Sequence, residues 1–227
     1  MKTTAPNAQR TLPLLALFAS ASAVLCIAAA SGLLPAGLAY LFKPLTTLLV
    51  IAHAWQRGSD APRQRRFVLI GLVLSLAGDV FLLWPKEGFL PGLVSFLLAH
   101  LAYIAAFCVP VRLAARPWVI VAYAVLAALI LSQLWAGVPP ALRVPVLAYV
   151  LCLATMAAQA AVWWRSAPAD LQARWAAIGG LLFMASDTLL AFNKFATPLP
   201  LAPLWILASY WLAQACIAQS LSGPKKP

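Results

Sequence analysis

Four ionisable residues stand out within long apolar stretches of this chain: Lys43, Asp79, His100 and Asp187. Such groups are costly in lipid, and they mark functional sites by default. The two carboxylates share a frame. Gly71-Leu-Val-Leu-Ser-Leu-Ala-Gly-Asp79 and Gly179-Gly-Leu-Leu-Phe-Met-Ala-Ser-Asp187 align without gaps, and each Asp is followed three residues on by a leucine, Leu82 or Leu190. Two carboxyl groups brought close together do not both ionise readily. One then serves as an acid and the other as a base, a pair suited to protonating an electron-rich centre and activating water. Lys43 has two readings of nearly equal weight, an ion pair with a carboxylate or a grip on a phosphate. A lone histidine such as His100 is more commonly a helix-bridging hydrogen bonder than a catalyst.

Other chemistries lack their residues. The chain has no GxSxG elbow, no Gly-rich phosphate loop and no HExxH. Its two histidines, His53 and His100, exclude a three-histidine zinc site. Cys26, Cys108, Cys152 and Cys216 form no CxxC pair and read as buried free thiols. No metal and no organic cofactor is expected.

The elements that position these residues follow from composition. Of 227 residues, 64% are hydrophobic and 9% charged, and the mean hydropathy is +0.91. A soluble domain carries about a quarter charged residues, so a soluble enzyme, a disordered chain and a secreted disulfide scaffold are all excluded. Eight apolar stretches approach the ~20 residues that span a bilayer. They cover about 12–30, 36–55, 67–84, 89–109, 117–135, 144–164, 175–192 and 201–221. The expectation is an all-α, polytopic membrane helical bundle of about eight transmembrane helices, forming one integral membrane domain over 1–227. The first stretch is too long for a signal-peptide core and reads as a retained helix. The two Asp frames fall in spans three and seven and run in the same direction, which predicts a parallel four-plus-four repeat.

The net charge is +11. Basic residues sit between the apolar stretches, as topology signals and headgroup contacts rather than a nucleic-acid surface. Lys2, Arg10, Arg57, Arg63, Arg65, Arg66, Arg112, Arg116, Arg165, Arg174, Lys225 and Lys226 fall on one side; Lys86, Arg143 and Lys194 fall on the other. This bias places both termini in the cytoplasm. Trp55, Trp84, Trp118, Trp135, Trp163, Trp164 and Trp175 mark interfacial belts.

Depth follows from a rise of about 1.5 Å per residue. Asp79 and Asp187 lie roughly 7–8 Å inside the outer boundary, Lys43 roughly 10 Å and His100 roughly 16 Å. Gly71, Ser75 and Asp79 give span three a small polar face. Gly92, Phe96, His100, Tyr103 and Phe107 form a stripe on span four. Thr46 and Thr47 follow Lys43, Gln159 faces inward from span six, and Tyr210 and Gln214 mark one face of span eight. One interior cavity is therefore expected to hold Asp79 and Asp187, with Lys43 and His100 on its wall. Lys86, Glu87 and Lys194 sit at the aqueous edge and are most simply solvated charges.

The stretch Phe89-Leu-Pro-Gly-Leu-Val-Ser-Phe-Leu-Leu-Ala-His100-Leu-Ala-Tyr103, following Gly78-Asp79, resembles the YhhN-type lysoplasmalogenase family of multispanning membrane proteins. Phe42-Lys43-Pro44-Leu45, Ser186-Asp187-Thr188-Leu189-Leu190 and Lys194-Phe195 extend the resemblance over nearly the whole chain. The resemblance implies a hydrolase that cleaves the vinyl-ether bond of lysoplasmalogens to a fatty aldehyde and a glycerophospho-alcohol. It implies Asp79 and Asp187 as the essential acidic residues. Lys43, His100, Tyr103, Ser95, Ser186 and Lys194 would bind substrate or support the pair. The partners implied are a lysophospholipid substrate and the bilayer, with no nucleic acid, in a bacterial inner membrane. A small transporter or proton-coupled carrier is the alternative for buried carboxylates in a parallel repeat.

Overall fold

The computed structural model describes residues 5–84 and 86–223, with side chains from residue 11 onward. Lys2, Pro85, Lys225 and Lys226 lie outside the described residues, as does the Arg10 side chain. Eight helices follow one another: α1 (Ala5–Ala30), α2 (Leu38–Trp55), α3 (Pro62–Phe81), α4 (Phe89–Phe107), α5 (Pro117–Leu134), α6 (Arg143–Ser166), α7 (Leu171–Phe195) and α8 (Ala202–Gln219). No strand occurs among the described residues. In lipid every backbone polar group must be satisfied internally, and a helix does this within its own segment. Pro62 and Pro117 open α3 and α5, where a missing N–H costs nothing. Asp170 caps α7 by accepting from the Gln172 backbone N–H at 2.8 Å.

Six of the described helices are individually long and apolar enough to cross a membrane: α1, α2, α4, α5, α6 and α7. The other two, α3 and α8, carry too many polar residues. Arg63 and Arg66 near the start of α3 are exposed, but the polar residues deeper in both helices turn inward. Gln64, Ser75 and Asp79 of α3 and Tyr210 and Gln214 of α8 are buried, whereas Ile70, Val73, Trp205 and Leu212 are exposed. Polar inside and apolar outside is the pattern of a bundle in lipid.

Neighbour relations repeat with a period of four helices. In the first half α1 packs on α2, α2 on α3, α3 on α4, and α4 reaches across to α6. In the second α5 packs on α6, α6 on α7, α7 on α8, and α8 reaches across to α2. The glycines of the shared frame hold equivalent seats. A Cβ on Gly71 would stand 2.3 Å from the Tyr103 ring of α4, and one on Gly179 would stand 3.0 Å from the Ala213 carbonyl of α8. In each half the frame's first glycine is what lets its helix close on the next.

An aromatic core joins the halves. The Phe183 ring lies edge-on to Phe96, His100 and Tyr210 at 6.2, 4.7 and 5.6 Å between centroids. Nearby, the buried Gln159 amide accepts from the Ala114 backbone N–H at 3.0 Å and donates to the Val111 carbonyl at 3.3 Å. That clamp pins the α4–α5 connection, where Ala114 adopts φ 53°.

Candidate active site

Both frame carboxylates line one cavity of about 550 Å³, bounded by residues of α2 through α8. Helical spacing builds its walls. Ala127, Ile130, Leu131 and Leu134 form the α5 face, and Val146, Tyr149, Val150 and Leu153 the α6 face. Met184, Asp187, Thr188 and Ala191 form the α7 face. Each set steps by three, one and three residues, the apolar stripe of a helix turned to one partner. The lining is mostly hydrocarbon with a few convergent polar groups, the form of a small-molecule site.

Asp79 is 1% exposed and well held. Its Oδ2 accepts from the Thr47 hydroxyl at 2.6 Å and from the Tyr210 hydroxyl at 2.8 Å. Lys43 Nζ stands 3.7 Å from its Oδ1. Behind these donors lies a second tier: Trp211 Nε1 donates to Thr47, Gln214 donates to the Tyr210 oxygen, and Tyr103 donates to Gln214 Oε1 at 2.7 Å. The Gln214 donation leaves the Tyr210 proton directed at Asp79.

Asp187 is furnished differently. The Tyr149 hydroxyl donates to its Oδ2. Among the described residues no cation and no second donor reaches it. In both halves the donor hydroxyl comes from the helix preceding the Asp, Thr47 on α2 and Tyr149 on α6.

Of the other residues singled out by sequence, Lys43, Ser186 and Lys194 line the cavity. Ser186 is committed to the Ile206 carbonyl at 3.0 Å, and the Lys194 ammonium lies 3.9 Å from the Phe89 ring centroid. His100, Tyr103 and Ser95 are not among the lining residues. Ser95 donates to the Pro91 carbonyl at 2.9 Å. Tyr103 acts one tier back, through Gln214 and Tyr210. His100 is fully buried behind the wall, 5.2 Å from the Tyr149 ring, and neither nitrogen has a hydrogen-bond partner. The imidazole stands out of line because α4 turns its Phe96 and Leu93 toward the cavity instead.

Sequence reasoning did not place Tyr149, Tyr210 and Thr47 at the carboxylates. Thr47 and Tyr210 carried a signal, a polar group on a helix face with a polar neighbour one turn away. Tyr149 carried none, and only the packing of α6 on α7 brings it to Asp187. No cluster of three or more potential metal ligands occurs among the described residues.

The fold is a membrane helical bundle with apolar outer sides, and it encloses two carboxylates on the wall of one apolar chamber. Residues 38–221 match the YhhN family, and the chain belongs to it. Lysoplasmalogenase TMEM86B of Sus scrofa is 36% identical over 184 residues, covering 81% of this chain and 74% of its own length. Lysoplasmalogenase TMEM86A of Homo sapiens is 33% identical over 79% of this chain and 75% of its own. A lysoplasmalogenase of Mycobacterium bovis is 34% identical over 59% of this chain and 51% of its own. No solved structure matches. The protein is an integral, multi-pass membrane protein.

Proposed function

We propose that this protein is a hydrolase that cleaves the vinyl-ether bond of a lysoplasmalogen, with Asp187 as the acid and Asp79 as the base. The observation that carries the reading is the unequal furnishing of two carboxylates on one apolar cavity. Two hydroxyls and an ammonium hold Asp79 as a carboxylate. Asp187 has one hydroxyl and no cation, and so retains its proton.

Vinyl ethers hydrolyse by protonation at carbon. Asp187 gives its proton to the outer alkene carbon, and the positive charge settles on the ether side as an oxocarbenium ion. Asp79 takes one proton from water as the water oxygen bonds to the cationic carbon, giving a hemiacetal. The Asp187 carboxylate then removes the hemiacetal hydroxyl proton while Asp79 returns its proton to the departing glycerol oxygen. Aldehyde and glycerophospho-alcohol leave, and both carboxyl groups are restored. An oxocarbenium-like intermediate between two carboxyl groups follows the logic of glycoside hydrolysis. Lys43 supports the Asp79 charge. His100 positions the Tyr149 ring and touches no reacting atom. No metal or organic cofactor takes part.

All eight helices cross the membrane in this reading, as one domain over 1–227, because the exposed arginines of α3 sit at its start and the polar groups deeper in α3 and α8 face inward. Both termini lie in the cytoplasm of a bacterial cell, the protein sits in the inner membrane, and the Lys194 end of the cavity faces outward, as the basic bias directs.

The test is aldehyde release from a lysoplasmalogen by purified protein, compared with Asp79→Asn and Asp187→Asn. Each variant should lose at least about 100-fold while melting as the parent does, in keeping with general acid–base contributions. No release by the parent overturns the hydrolase and favours a carrier. Undiminished release by either folded variant removes the pair.

A further inference from the structure

The wall of the cavity toward the end of α7 holds a cation already seated on an aromatic face. Lys194 Nζ lies 3.9 Å from the centroid of the Phe89 ring. Phe195 stands edge-on to the same ring, 6.0 Å away at 80°. All three residues line the cavity. We propose that Phe89 and Lys194 form a subsite for a zwitterionic phosphodiester head, the ring receiving a substituted ammonium and Lys194 the phosphate. The chemistry covers phosphocholine and phosphoethanolamine alike. The proposal rests on the lysolipid hydrolase reading for the placement of the chain.

Charge leaves Lys194 as the phosphate ligand. The charged residues lining the cavity are Lys43, Asp79, Asp187 and Lys194. Lys43 is committed to Asp79, and its departure would strand a buried carboxylate. Lys194 is exposed and rests on a ring face, an interaction that another cation can replace. Its flexible stem lets the ammonium turn from the ring to an anion.

Length agrees as well. Asp187 and Lys194 are seven residues apart on one face of α7, a rise of about 10 Å. In a lysoplasmalogen five bonds of roughly 1.5 Å join the ether oxygen to phosphorus, ~6 Å when extended. The lysine stem covers the remainder. With the double bond at Asp187, the phosphate reaches Lys194 and the ammonium a few bonds beyond reaches Phe89.

The experiment measures binding and needs no turnover. Three saturated ethers that resist cleavage are titrated against the full-length protein in detergent: 1-O-alkyl-glycerophosphocholine, 1-O-alkyl-glycerol 3-phosphate and 1-O-alkyl-glycerol. The parent should bind them in that order of affinity. Phe89→Leu should weaken the phosphocholine ligand about tenfold and leave the other two unchanged. Phe89→Trp should keep phosphocholine affinity, because the ring face survives. Lys194→Met should weaken both phosphorylated ligands and spare the alkylglycerol. Equal binding of all three by the parent, or equal losses for all three in Phe89→Leu, overturns the subsite. Aldehyde release from a lysoplasmalogen by the parent is scored separately, so loss of the subsite and loss of the hydrolase reading remain distinguishable.

Discussion

Lys43 and Asp79 form an ion pair across 3.7 Å, with the lysine side chain 13% exposed and the carboxylate 1%. The lysine sits on α2 and the aspartate on α3, so the pair ties neighbouring helices as well as fixing a charge. Asp187, which occupies the same place in the second half, has no such cation among the described residues. A near-repeat in sequence has become an asymmetric pair in space.

Removing the lysine alone should be costly. Lys43→Met leaves a buried carboxylate with two hydroxyls and no countercharge, a loss of about 3–5 kcal/mol in comparable buried pairs. The lower end is expected, because the ammonium reaches the cavity. Adding Asp79→Asn should recover much of that loss, and a double-mutant cycle of melting in detergent measures the coupling. Additive losses would show that the pair contributes nothing beyond its separate members.

Tyr149 is the single donor to Asp187. Tyr149→Phe should therefore lower kcat with little change in KM, since the acid loses its orientation and not the lipid's seat. Up to about tenfold is expected for one hydrogen bond to a neutral acid, worth roughly 0.5–1.5 kcal/mol. A rise in KM at constant kcat would place the tyrosine in substrate binding instead.

Gly71 touches the Tyr103 ring so closely that an added methyl has no room. Gly71→Ala should force Tyr103 aside, disturb its hydrogen bond to Gln214 and cost about 1–3 kcal/mol, as overpacking does. Gly37, with nothing within 4 Å of a built Cβ, is the control: Gly37→Ala should change stability by less than about 0.5 kcal/mol. Thermal melts of the two variants decide this.

One acid and one base of the same type, working as a pair, should give a bell-shaped dependence of kcat/KM on pH. The two limbs belong to the coupled pair rather than to named residues. A rate flat through the neutral range would count against the pair.

The basic bias predicts a cytoplasmic C-terminus. A fluorescent reporter that folds only in the cytoplasm, fused after Pro227, should be bright, and a phosphatase active only outside should be silent. The reverse pattern would invert the bundle and turn the Lys194 end of the cavity to the cytoplasm.

The amino-acid sequence by itself determined the helices and the carboxylates. Lipid cannot satisfy a bare backbone, and apolar runs near 20 residues are the length of a spanning helix rather than a barrel strand, so each is visible in one window of residues. An ionisable residue inside such a window is costly, and two of them in matching frames are hard to dismiss, which is why Asp79 and Asp187 stood out. Each of the eight apolar windows falls on a helix, α3 and α8 included. What only the tertiary structure decided is rotation and pairing. Thr47, Tyr149 and Tyr210 reach their carboxylates from 32, 38 and 131 residues away in the chain. His100 turned behind the wall while Phe96 turned into it. In a soluble helix the polar face reveals which side meets water. Here lipid and core are both apolar, so the pattern along a helix says little about which face meets the cavity, and packing of small residues such as Gly71 and Gly179 sets the angle.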